Sequence, residues 1–139
     1  MPHYSPYRSS TFRDWTRIDM LLSLYSAAEE TLVSMSAELD AGETILAVQS
    51  QIRAMKLLVC ILEGIESEKN EIAAQIQQLC LYMIDEVAQH TSDGVANALK
   101  VLRPLHQGFQ EIREEAIELE SDGTIPKLGP IQETTLATG

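Results

Sequence analysis

The chain has 139 residues, enough for one domain around one hydrophobic core. Ten Lys and Arg against 21 Asp and Glu leave a net charge of −11, which argues against duplex nucleic acid and anionic membrane surfaces, since both need a basic face to displace counterions. Apolar residues make up 45% but aromatics only 5%, with 7 Gly and 5 Pro, so the composition disfavours a turn-rich β-sandwich and predicts an acidic helical domain.

The N-terminal segment, residues 1–15, is polar and punctuated by Pro2 and Pro6, and no apolar stretch of a secretory signal is visible in it. It holds Tyr4, Tyr7, Phe12 and Trp15, four of the chain's seven aromatics, without helical or strand spacing. Four rings left in water forfeit about 1.5–3 kcal/mol each of available burial. The segment is therefore expected to dock on the domain or on a partner, as a fixed structural cap or as a displaceable one.

A first helix follows, with Leu21, Leu24, Tyr25, Ala28, Leu32, Met35 and Leu39 on one face. It is expected to start near Thr16 or Asp19 and stop at Asp40-Ala41-Gly42, where Gly42 can take the left-handed conformation. The second helix repeats Ile45, Val48, Ile52, Met55, Val59 and Leu62 at alternating spacings of 3 and 4, a seven-residue repeat. Leu57, Leu58, Ile61 and Ile65 lie off that stripe and make its C-terminal half apolar nearly all round. Either the helix touches two neighbours within the bundle, or it leaves an exposed groove fit for an amphipathic helix.

Ser67 or Asn70 can cap the third helix, which carries Ile72, Ile76, Leu79, Met83 and Val87 and is expected to end near His90. The fourth runs through Val95, Ala98, Leu102, Leu105, Phe109, Ile112, Ala116 and Leu119. Pro104 falls inside it, where the stripe stays in phase on both sides, so a kink rather than an end is expected. Ser121-Asp122-Gly123 closes the helix, and residues 123–139 have no period and are expected to form a loose tail. Helices of about 20 residues joined by short connections pack side by side in alternating directions. Residues 16–122 are thus predicted to form an all-α, antiparallel up-down four-helix bundle.

Catalytic and metal-binding signals are absent. A di-metal bundle site needs Glu-x-x-His on two helices, but Val87 precedes His90 and Arg103 precedes His106 by three residues, and His3 lies in the N-terminal segment. Glu86 and His90 can touch at i, i+4 or stand as a solvated pair at a helix end. Cys60 with His106 makes a nucleophile only if both line a cleft; as buried free thiols, Cys60 and Cys80 fit a reducing compartment better. No enzyme, cofactor or metal is expected, and the location is expected to be cytoplasmic. The longest uninterrupted apolar run, residues 57–62, is far short of the roughly 20 a membrane span needs. Residues 110–122 carry a net −5, a solvated end or a lure for a basic partner, whereas residues 1–17 carry +2, with three Arg against Asp14.

Five local strings, in order, resemble the FliS family of flagellar export chaperones. They are Met20-Leu21-Leu22-Ser23-Leu24-Tyr25 followed by Ala27; Leu39-Asp40-Ala41-Gly42-Glu43; residues 65–73, with an acidic cluster before Glu71-Ile72-Ala73; Leu79-Cys80-Leu81-Tyr82-Met83-Ile84; and Leu105-His106-Gln107-Gly108-Phe109. The chain departs from the family pattern at Ser26-Ala27, Cys80, Phe109 and Pro104. The resemblance spans about residues 16–112 and implies a cytoplasmic chaperone that binds the disordered C-terminal segment of flagellin, prevents its premature polymerisation, and meets the flagellar export apparatus. It also implies that the N-terminal segment can cover part of the binding surface, with Tyr4 and Tyr7 as candidates. The candidate partner-binding set is completed by Tyr25 on the first helix, Leu57, Leu58, Ile61 and Ile65 on the second, and Ile72 and Tyr82 on the third. The alternative is a helical interaction module that self-associates or serves another secretion partner; the chain itself is expected to be a monomer or weak dimer.

Overall fold

The computed structural model describes residues 16–65 and 70–125, and among them it is all-helical. The helices are α1 (Arg17–Asp40), α2 (Thr44–Glu63), α3 (Glu71–Ala88), α4 (Ser92–Glu111) and α5 (Arg113–Ser121). The expectations for residues 1–15, Tyr4 and Tyr7 included, for Ser67 and for the tail beyond residue 125 lie outside the described residues.

Side-chain caps set three of the helix starts. Thr16 Oγ1 accepts from Asp19 N at 3.2 Å, Asn70 Oδ1 from Ala73 N at 2.7 Å and Thr91 Oγ1 from Gly94 N at 2.9 Å, each satisfying a backbone donor that has no partner inside its own helix. At the end of α1, Gly42 takes φ 74° and Glu43 N reaches back to Glu38 O at 2.9 Å, the left-handed closure expected there. His90 takes the corresponding position after α3, with φ 57°.

The helices pack in ring order, α1 against α2, α2 against α3, α3 against α4 and α4 back against α1, with α5 continuing along α1. Polar pairs join α1 to α4 at Asp40 and Ser92, Glu29 and Arg103, and Ser26 and His106, and join α1 to α5 at Asp19 and Arg113. The residue number falls on α1 as it rises on α4 and α5, as in helices that run in opposite directions. The core lies inside the ring: Tyr25, Leu32 and Met35 of α1, Leu58 and Ile61 of α2, Cys80, Met83 and Val87 of α3, and Val95 and Leu102 of α4.

Three expectations need correction. First, α2 turns its seven-residue stripe outward, with Ile45 76% and Ile52 51% exposed, and buries Ala47, Ala54, Leu58 and Ile61 instead. Polar ties fix that rotation. Ser50 donates to Glu38 at 2.6 Å, Arg53 Nε to Thr31 Oγ1 at 3.2 Å, and Gln51 Nε2 to the Val87 carbonyl at 2.9 Å; Ala47 and Ala54 on the inward face let the backbones approach. Second, the fourth helix is continuous through Pro104 but breaks at Ile112, φ −97° and ψ 9°, which ends α4 and begins α5. Third, Cys80 is buried as expected, but Cys60 is only partly covered.

By length and composition α2 is apolar enough to cross a membrane, with mean hydropathy 1.6. Its inward face packs in the core and its Arg53 is tied to α1, so within this fold it is a bundle helix.

Candidate protein-binding face

Burial concentrates the exposed apolar residues on two helices. Among the described residues, Ile45, Leu46, Val48, Ile52 and Val59 of α2 and Ile72, Leu79, Leu81 and Tyr82 of α3 are large, hydrophobic and exposed, whereas only Val33 and Ile112 are so elsewhere. The cause is local sequence. Both helices carry more apolar residues than one inward face can hold, and the inward positions are already filled by Leu58, Ile61, Cys80, Met83 and Val87. Exposed apolar side chains in this number on a small domain are candidates for contact with another protein.

Residues 72–84 of α3 and 44–52 of α2 contain no Asp, Glu, Lys or Arg. Acids are most frequent on α1 and α5, and two of those on α1 knit its seam with α4 and α5. Glu29 accepts from Arg103 Nε and from His106 Nδ1, both at 3.1 Å, and the His106 hydrogen bond, followed by Arg103, holds its carboxyl below the ordinary carboxylate range against the opposing effect of burial. His106 Nε2 lies 3.3 Å from the Ser26 hydroxyl. Asp19 is likewise held low, first by its hydrogen bond from Arg113. The backbone N–H of Arg17 donates to Glu120 at 2.8 Å and ties the start of α1 to α5.

The structure divides the candidate residues expected from sequence. Ile72, 68% exposed, and Tyr82, 43% exposed, are open to solvent on α3. Leu57 and Ile65 are half-buried against the core. Tyr25, Leu58 and Ile61 are core residues, and none of the three can touch a partner unless the bundle opens. The Tyr25 ring packs on His106 at 6.0 Å and Phe109 at 5.5 Å, its hydroxyl has no hydrogen-bond partner, and burial, with Cys80 adding to it, pushes its ionisation upward. Tyr25 belongs to the expected set by its motif alone, and its place on the apolar stripe of α1 is the signal for the core.

Sequence reasoning missed Ile45, Val48, Ile52 and Val59 as surface residues because a heptad stripe ordinarily faces inward. The available signal was the pair Ala47 and Ala54, small residues that suit a close helix contact on the other face.

The candidate chemical pairs do not come together. Glu86 accepts from Asn97 at 2.8 Å and Gln89 at 2.9 Å, while His90 Nδ1 lies 3.0 Å from Gln51 Oε1. The hydrogen-bonding neighbours of His106 are Ser26, Glu29 and Gln110. Burial pushes the Cys80 thiol up to about 11, which makes it a poor nucleophile. Among the described residues no group of three His, Cys, Asp or Glu is placed to hold a metal ion. What the exposed apolar residues of α2 and α3 can do is bury apolar surface of a partner. Comparison with protein-family models, with characterised proteins and with solved structures finds no match to this chain.

Proposed function

We propose that the chain is a non-catalytic export chaperone of the flagellin-binding kind, working in the cytoplasm. Its client is the disordered C-terminal segment of a flagellin-type subunit, held away from premature polymerisation until export. The observation that carries this reading is the concentration of exposed apolar side chains on α2 and α3. A disordered segment that folds on binding loses conformational freedom worth several kcal/mol and so needs a long apolar contact in return. Two adjoining helices of about 30 Å provide that length. An amphipathic client would lay its apolar face over Val48, Ile52 and Val59 of α2 and Leu81 and Tyr82 of α3. The aromatic, basic segment 1–15 is the natural competitor for the same surface.

Calorimetric titration with a flagellin C-terminal peptide, followed by circular dichroism, tests the proposal. Stoichiometric binding with a gain in helicity is expected, and a flat titration overturns it. Removal of residues 1–15 is expected to tighten binding.

A further inference from the structure

α5 cannot hold its own form. An isolated helix of fewer than about 12–15 residues is marginal in water, and α5 has nine. Its last turns hold Glu118 and Glu120 with no basic residue beside them, which opposes the helix dipole. Docking therefore keeps α5 helical. Among the described residues it packs on α1 and adjoins the end of α4, and it does not pack on α2 or α3. The join to α4 is weak as well. Gly108 is a poor helix former with open space around it, and Ile112, where the helix breaks, is 45% exposed.

The docked helix acts on the start of α1. Arg113 forks onto Asp19, and Glu120 accepts from the backbone N–H of Arg17. These two ties bracket Ile18, which is buried yet stands outside the main core. The apolar residues of α5, Ile117 and Leu119, are half-buried and also stand outside that core. Glu120 is a buried carboxylate, disfavoured at the end of its own helix. At the N-terminus of α1, open amides and the positive end of the dipole favour it. One small contact thus caps α1 and covers Ile18. We propose that α5 is a latch, which releases from α1 as one unit about Gly108–Ile112 and uncovers Ile18 while the four longer helices stay folded. The latch works without any client, so it stands apart from the chaperone reading.

Thiol labelling of the full chain under native conditions tests the latch. In a Cys60→Ser background, Ile18→Cys puts a thiol at the covered position, and the buried Cys80 reports opening of the core. The introduced thiol is expected to react about tenfold or more faster than Cys80, because a local opening costs less than a global one. Arg113→Ala removes half of the fork and is expected to speed the introduced thiol about threefold or more, leaving the Cys80 rate unchanged. Hydrogen exchange read by NMR on the unsubstituted chain gives a second measure. Amides 116–121 are expected to share one protection factor, lower than that of Leu32, Met83 and Leu102. Equal labelling of the two thiols, or an Arg113→Ala effect that is the same on both, overturns the proposal. So does protection that falls steadily toward Ser121, which is the mark of simple fraying.

Discussion

Arg113 at the start of α5 grips Asp19 in the first turn of α1 with two hydrogen bonds, Nε to Oδ1 at 2.6 Å and Nη2 to Oδ2 at 3.1 Å. The two residues are 94 positions apart, so this fork closes the chain on itself. It holds α5 along α1 after the backbone has broken at Ile112. Its charge-assisted, two-pronged geometry favours the ionised carboxyl, which is why Asp19 is held low.

A pH dependence follows from Asp19 and Glu29. Both carboxyls are held below their ordinary values in the folded chain, so the unfolded chain binds protons more readily and stability falls with acid. The contribution is fully present above the ordinary carboxylate range, about pH 4 to 5, and is lost as pH drops through the lowered folded values. Urea melts at pH 7 and below pH 4 are expected to show the loss. Asp19→Asn and Glu29→Gln are each expected to flatten it, modestly, because both groups are partly solvated.

Gly94 and Gly108 both lie in α4 and predict opposite outcomes for the same substitution. A Cβ at Gly94 would collide with the backbone carbonyl of Glu86, where the start of α4 meets α3, whereas one at Gly108 would meet nothing within 4 Å. Gly94→Ala is expected to destabilise by about 1–3 kcal/mol through overpacking. Gly108→Ala is expected to stabilise by about 0.5–1 kcal/mol, since it replaces a flexible residue within a helix. Paired thermal melts check both.

The rotation of α2 is tested by truncating its two faces. Leu58 is fully buried, and Leu58→Ala is expected to cost about 2–5 kcal/mol. Ile52 is half exposed, so Ile52→Ala is expected to stay within about 0.5 kcal/mol in chemical denaturation of dilute protein. Equal losses at both positions would mean that the heptad stripe faces the core after all.

Tyr25 is buried with its hydroxyl unpartnered. A polar group taken from water without a replacement hydrogen bond costs about 1–3 kcal/mol. Tyr25→Phe keeps the ring against His106 and Phe109 and removes that cost, so an unchanged or raised melting temperature is expected. A marked loss of stability would show that the hydroxyl has a partner in solution.

Much of the fold was legible because its signals are local. Thr16 and Asn70 cap where a short polar side chain before an apolar repeat says they should, and Gly42 closes α1 because its backbone tolerates a positive φ. The exposed apolar surface was legible only in part. Ile72 and Tyr82 are exposed, but of the off-stripe residues left open between a second bundle contact and an exposed groove Leu58 and Ile61 are buried, and Ile52 of the heptad stripe is exposed. The break at Ile112 was hidden because Val95 to Leu119 keep one apolar phase across it, and phase says nothing of a single residue's departure from helical geometry.

Composition and periodicity by themselves determined that this chain is helical and where most of its helices start and stop, since capping and propensity act within a few residues. Only the tertiary structure decided which side of α2 is inside. A helix with two apolar stripes has two ways to bury one, and its own sequence ranks them weakly. Contacts from other helices, Arg53 to Thr31, Gln51 to the Val87 carbonyl and Ser50 to Glu38, settle the choice. The same choice turned a stripe with coiled-coil spacing toward solvent, where it serves as a surface rather than as a core.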